Sequence, residues 1–320
     1  MLHFHCHSRQ KPDVRAPLES GINPPHTLSI DSAHIAALPV LLRSRSELSV
    51  SGCMPMLHLL FSRYRIAFLA AAVVFSSAAH AVTRGAVNVP NVAEQLLLTQ
   101  ANQDRSQHSL SQLTRDPMLA QAALYHAYQM AEHADISHGF PGEPDLSERG
   151  ASAGVRFSLI TENVAEAGEP TIIHEMWMHS EGHRANLLDP EVNVVGIAVV
   201  TREHQVYAVE DFASTVDSLS IDQQESAVAT LLSTTGLSIA NSSAEVVANA
   251  RQTCGMSTGY AGVRQPWFIM RYTASRLDQL PQQIKSRLTS GKYHQAVVGA
   301  CSPAEPSAFS SYNIAILLYP

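Results

Sequence analysis

Two β-rich runs, 194–200 and 205–212, lie on either side of the polar link Arg202-Glu203-His204. Runs of β-branched and aromatic residues joined so briefly read as an antiparallel hairpin. The stretch before them has helical spacing instead. Val92, Leu96 and Leu97 form one apolar stripe of a segment over 92–107, whose later residues include polar Asn102 and Arg105. Asp116-Pro117 marks a second helix start, with an acid to cap the first turn and a proline where the missing N–H is harmless. Leu119, Ala122, Ala123, His126, Ala127 and Met130 carry that helix along one face, and it ends before Asp135. His138-Gly139 opens an irregular stretch to about Arg156. A third helix over 171–179 carries Met176 and Trp177, and Gly182 breaks it just before His183. Helices first and a hairpin last predict helices packed on an antiparallel sheet, an α+β arrangement.

A leader is written inside the chain. Arg63 and Arg65 precede the apolar run 66–75, and small residues then end in Ala79-His80-Ala81. A basic segment, a short apolar core and an A-x-A site make a secretory signal, cut after Ala81. The run falls short of the roughly 20 residues of a membrane-spanning helix. The expected location is therefore secreted or periplasmic, with membrane contact only through the signal. Met54 and Met56 stand directly before this segment, so 54–81 reads as the signal peptide and 82–91 as a polar lead-in. Residues 1–53 read as an upstream extension foreign to the native protein, which also disposes of the metal-like tract His3, His5, Cys6 and His7. Cys6 and Cys53 precede the cut. Cys254 and Cys301 remain, an even pair and a candidate disulfide in an oxidising compartment. The rival, two buried free thiols, differs by a distance that sequence does not supply. A net charge of −7 argues against a nucleic-acid partner, which would want a basic face.

Several motifs now fall into one order. Asn102-x-x-Arg105 is followed by Leu119-Ala120-x-x-Ala123-x-x-His126-Ala127 and Ser137-His138. Then come Glu162-Asn163-Val164-Ala165 and Trp177-x-x-Ser180-x-Gly182-His183-Arg184-x-Asn186-Leu187-Leu188. Val195-Gly196-Ile197-Ala198 and Glu210-Asp211-Phe212 close the series. This series resembles the bacterial branch of the CAP (SCP-like) family, which includes cysteine-rich secretory proteins, antigen 5 and pathogenesis-related 1. The resemblance covers about 120 of the 320 residues, from Val92 to Ala213. It implies a three-layer α-β-α sandwich of CAP type with a solvent-facing cleft, in a domain over 92–215. It also implies that His138, Glu162 and His183 line that cleft. The chain departs from the pattern at Thr161, where the family carries glycine before the cleft glutamate. At the fourth family acid it has Ser180, as bacterial members often do, but then Glu181 in place of their proline. Glu181 is a candidate substitute for the missing acid; its other reading is an ordinary solvent-facing glutamate.

Two neutral imidazoles and a carboxylate with an open position suit a divalent cation, zinc above all. The same set also suits general acid–base work. A third reading is structural, with the side chains hydrogen-bonded to loops so that the cleft keeps its shape. Other motifs carry less. His174-Glu175-Met176-Trp177-Met178-His179 has one residue too many between its histidines to place both on one helical face as metal ligands. His126 and His133 read as a packed or solvated pair. Gly255-Met256-Ser257-Thr258-Gly259 matches the nucleophile-elbow string, but it follows a helical segment where an elbow needs a strand.

Beyond Thr215 the resemblance stops, and 216–320 reads as a separate smaller α/β domain. Ser220 and Gln223 are spaced like a capping box for a helix over 220–232. Helices over 244–253 and 280–288 and strands over 267–273, 294–301 and 312–319 follow. Val297-Val298-Gly299 echoes Val194-Val195-Gly196, too little to define a repeat. Three functions fit this organisation. The first is a non-enzymatic exported binding module whose cleft takes lipid, peptide or cell-envelope material. The second is a metal-dependent hydrolase using His138, Glu162 and His183. The third is a structural adaptor acting through the C-terminal domain. The binding module leads, because neither a nucleophile–base pair nor a complete metal motif is visible.

Overall fold

A computed structural model describes residues 8–11, 18–20, 89–241 and 243–320. The signal segment, its cut after Ala81, the start at Met54 or Met56 and the His3–His7 tract lie outside these residues. The described chain forms two five-stranded sheets with helices on both faces of each. The first sheet contains β1 (Ser8–Gln10), β3 (Thr114–Arg115), β4 (Phe157–Ala167), β5 (Val194–Arg202) and β6 (Gln205–Thr215). Its helices are α1 (Val92–Gln107), α2 (Pro117–His133), α3 (Leu146–Ser152), α4 (Ile173–Met178) and α5 (Glu181–Leu187). The second sheet contains β2 (Leu18–Ser20), β7 (Ser238–Ile239), β8 (Phe268–Ala274), β9 (Gln295–Cys301) and β10 (Tyr312–Tyr319). Helices α6 (Ile221–Ser233), α7 (Ala244–Gly255) and α8 (Gln282–Leu288) cover it.

Local chemistry explains the helix ends. Asn91 and Glu94 make a reciprocal capping box at α1, and the Asp116 carboxylate accepts from the amides of Met118 and Leu119 at α2, with Pro117 in the first turn. Two residues of the expected first helix turn out to be clamps. Asn102 bonds both the amide and the carbonyl of Leu113, at 2.7 and 3.0 Å. Buried Arg105 donates to the carbonyls of Ser111, Leu187, Asp189 and Val192. That guanidinium ties α1 to the loop before β5 and satisfies backbone acceptors, three of them in buried hydrogen bonds.

Period-two alternation sorts β4 and β6 onto two cores. Leu159, Ala165, Ala208 and Phe212 face Leu97, Ile173, Trp177 and Leu187 from α1, α4 and α5. On the other face, Val164, Tyr207 and Val209 meet Ala123, Ala127 and Met130 of α2, while Ile160 and Ala213 meet Leu119, Leu146 and Phe157. The expected three-layer α-β-α sandwich is thus observed. Three local readings are corrected. The irregular stretch to Arg156 contains α3, a seven-residue helix with its own Asp145–Glu148 capping box. Gly182 does not break a helix; the break falls at His179–Ser180, and Gly182 lies inside α5. Finally, the irregular stretch gives way at Phe157 to the eleven-residue strand β4, in which Thr161, Glu162 and Asn163 interrupt the apolar pattern.

The second sheet repeats the first. Strand order is β1-β4-β6-β5-β3 in one and β2-β8-β10-β9-β7 in the other. In each sheet the short strand between two helices pairs parallel, and every other pairing is antiparallel. The helix after the short parallel strand packs on one face: α2, joined there by α3, in the first unit, and α7 in the second. The faint Val-Val-Gly echo marks the equivalent point. A Cβ on Gly196 would lie 2.2 Å from the Leu119 carbonyl carbon, and one on Gly299 would lie 2.2 Å from that of Ala250. Helix backbone rests directly on each strand there, and only glycine leaves room. Cys254 at the end of α7 is disulfide-bonded to Cys301 at the end of β9, with Cα atoms 5.8 Å apart.

Candidate functional site

The site grows from β4. Glu162 projects towards the α2–α3 face and is wholly buried. His138, on the loop after α2, donates from Nδ1 to Glu162 Oε1 at 2.7 Å. Arg149, on α3, donates from Nη2 to Glu162 Oε2. The same guanidinium donates to the carbonyl of Pro144 at 3.2 Å and lies 3.6 Å from Glu143 Oε1. His126 on α2 completes the cluster. Its Nδ1 meets Glu143 Oε1 and its Nε2 meets the Ser137 carbonyl, both at 2.7 Å, and Nε2 is 3.8 Å from Glu162 Oε2.

Burial by itself would raise the Glu162 pKa, but the His138 hydrogen bond and the charges of Arg149 and His126 outweigh it and hold the carboxyl below its ordinary range. Asp211 stands directly opposite in the register, on β6. Burial, and then the neighbouring Glu162 charge, push its carboxyl well above the ordinary range. Two facing carboxyls are thus driven apart, one held as an anion and the other towards its acid form. Both are sealed inside. His138, with its side chain 20% exposed, is the member of the set that reaches the surface. On the other face of β6, Glu210 is buried without a hydrogen bond to a described residue, and burial alone raises its carboxyl well above the usual range.

Of the four residues expected in the cleft, the structure joins His138 and Glu162 directly. His183 is buried on α5, which packs on the opposite face of β4: its carbonyl accepts from Asn163 Nδ2 at 3.1 Å, and Asn186 Nδ2 donates to the Glu162 carbonyl at 3.1 Å. Glu181 is exposed in the first turn of α5. Among the described residues no group of three or more His, Cys, Asp or Glu is arranged to hold a metal ion. His174 bonds Asp104 at 2.7 Å and His179 bonds the Glu175 carbonyl, so the near-zincin string serves local structure. His126 is packed, as its place in the apolar stripe predicts, but into a charge network; His133 stacks on Phe140 with ring centroids 4.3 Å apart. Gly255–Gly259 begins at the helix end and runs into a loop, as expected.

Arg149 and Glu143 were not among the sequence candidates, and His126, Glu210 and Asp211 were named there only as motif residues without a place in the site. One signal was present: Glu210-Asp211 is an acidic pair inside an otherwise apolar strand. A second was the Asp145–Glu148 spacing, which announces the helix carrying Arg149.

A helix–sheet–helix sandwich whose outer long strand carries a glutamate, paired with a loop histidine and braced by arginine from a short helix, defines the class as a CAP-type domain. Residues 98–215 match the family model described as CAP, the cysteine-rich secretory protein family, and this region is a CAP domain of the bacterial branch. It is 26% identical over 119 residues to the uncharacterized protein YkwD of Bacillus subtilis (strain 168), covering 37% of this chain and 46% of the relative. It is 30% identical over 113 residues to the uncharacterized membrane protein YlbC of the same organism, covering 35% and 32%. The chain therefore spans less than half the length of either curated relative. Among solved structures, an extracellular protein containing a SCP domain from Bacillus anthracis str. Ames is 29% identical, with a TM-score of 0.35, over 38% of this chain and 40% of that one. Among the described residues no helix is long and apolar enough to cross a membrane.

Proposed function

We propose that this is an exported CAP-domain binding module. Its ligand, a lipid, peptide or cell-envelope component, is met at the outer edge of β4, where His138 reaches the surface. The carrying observation is the full engagement of Glu162. One oxygen is taken by His138 and the other by Arg149, so the carboxylate acts as a fixed buried charge that orients the imidazole. A metal centre would compete with both contacts, and both carboxyls of the Glu162–Asp211 pair are fully buried. The Cys254–Cys301 disulfide supports an oxidising destination.

Elemental analysis and zinc titration of the purified protein test this reading. The expected result is metal content far below one equivalent and no saturable zinc binding near neutral pH. Stoichiometric zinc, lost in His138→Ala, would overturn it in favour of the metal-dependent hydrolase. N-terminal sequencing of exported material should begin at Val82.

A further inference from the structure

The outer edge of β4 is already occupied by a peptide. Ser8–Gln10 pairs with it antiparallel, placing Ser8 opposite Glu162, Arg9 opposite Thr161 and Gln10 opposite Ile160. Side chains then read both sides of the edge. Arg9 lies 2.9 Å from Asp189 Oδ2 and 2.6 Å from Glu191 Oε2, and Lys11 Nζ is 2.5 Å from Glu191 Oε2. Gln10 points the other way and accepts from the Ser147 amide at 3.1 Å. Asp189 is itself buried, and its second oxygen accepts from the Glu191 amide, so the acidic pair is built rather than incidental. The second sheet takes a strand at the same place: Leu18–Ser20 pairs with β8, with Leu18 opposite Arg271. In both units the strand equivalent to β4 is a sheet edge that accepts an extended segment.

From this we infer that the β4 edge is an acceptor for one extended peptide strand with basic residues at alternate positions. Main-chain pairing supplies affinity, Asp189 and Glu191 select the basic residues, and the Ser147 amide selects a polar residue between them. Residues 8–11 fill the edge within the full chain; in a chain that starts at Val82 the edge is open to a partner's segment. The inference rests on the reading of this edge as the cleft of an exported module, and it names the ligand class as peptide.

The test uses the full chain first. In Arg9→Glu/Lys11→Glu, hydrogen exchange across 157–167 should quicken by roughly tenfold or more, the size of a lost charge-assisted contact. An acetylated peptide of sequence Ser-Arg-Gln-Lys-Pro-Asp added in trans should restore the protection. Labelled with fluorescein, the same peptide should bind saturably to the chain starting at Val82. Glu191→Lys in the protein, or glutamate at both basic positions of the peptide, should weaken that binding about tenfold. Unchanged exchange in the full-chain variant overturns the inference, whether or not the shorter chain folds. So does absence of saturable binding to a Val82 chain with native near-ultraviolet dichroism. Peptide binding without export would sink only the exported setting, and export without peptide binding would sink only this inference.

Discussion

The two sheets share strand order, pairing polarity and helix placement, yet they differ at the register positions beside the glycine on which a helix rests: there only the first carries a carboxylate cluster, while the charges of the second, Arg251 with Asp222 and Glu225, lie between α6 and α7. Gly196 and Gly299 give the alignment, because each lies beneath a helix backbone. Their cross-strand partners are Asp211 and Ala315. One strand further out stand Glu162 and Arg271. Two register positions therefore separate a facing pair of carboxyls from an alanine and a cation. Arg271 turns to neutral partners, the carbonyls of Thr253 and Gly259, and needs no counter-charge from a helix. Glu162 instead recruits His138, Arg149 and, through Glu143, His126. The scaffold does not make the site: the same frame is satisfied by a carboxylate cluster in one unit and by backbone carbonyls and a disulfide in the other.

The shared frame is most severely tested at its two glycines. Gly196→Ala and Gly299→Ala should each push a helix off its sheet, with a cost on the order of 4 kcal/mol or more. Urea unfolding can follow both units, since Trp177 is buried in the first and Trp267 is half exposed in the second. Loss of structure in one unit with no effect of the other substitution would break the equivalence drawn here.

The difference between the sites predicts unequal responses to charge removal. Glu162→Gln leaves Arg149 buried without its principal partner and should cost about 3–5 kcal/mol. Arg271→Met removes hydrogen bonds to neutral carbonyls and should cost about 1–3 kcal/mol. Equal losses would mean that the carboxylate cluster is no more tightly coupled than an ordinary buried hydrogen-bond donor. Cys254→Ser/Cys301→Ser should lower the stability of the second unit by roughly 2–4 kcal/mol, as measured by the Trp267 transition, and leave the Trp177 transition in place.

Much of this frame was legible in the sequence. The bounds of α1 and the start of α2 follow from side chains that cap their own backbone, a local interaction that sequence displays. The β5–β6 hairpin, α6 and the three long strands of the second sheet follow from apolar runs. The site was legible only as a list. His138 and Glu162 were named through family motifs, but β4 went unassigned because Thr161, Glu162 and Asn163 interrupt its apolar pattern at the functional point. Arg149 and Asp211 left local traces, but their meeting with Glu162 was not legible, for a different reason. Each reaches Glu162 through tertiary packing or cross-strand register, and register follows from pairing across dozens of residues rather than from neighbours in the chain. The repeated topology escaped notice because its one shared motif is three residues long.

The finest distinction between the sheets is their dependence on pH. Asp211 has its folded-state pKa raised by burial and by Glu162. Below its unfolded value of about 3.9 the carboxyl is protonated in both states, and its burial then costs no ionisation. As pH rises past that value the unfolded chain releases the proton while the folded chain retains it. Stability therefore falls with rising pH until the raised folded value is reached. Glu162, with its folded pKa lowered, acts in reverse: its contribution is present above the unfolded carboxylate value and is lost as pH falls through the folded one. Asp211→Asn keeps the shape and an N–H donor towards Glu162 but removes the titration. It should leave stability near pH 4 almost unchanged and raise it towards pH 8, by on the order of 1 kcal/mol. Melting temperatures measured across that range give the answer. Curves that stay parallel for variant and wild type would show that Asp211 ionises as readily folded as unfolded, and the facing carboxyls would then be an ordinary pair. Ala315 and Arg271 at the same positions of the second sheet predict no such slope for that unit's transition.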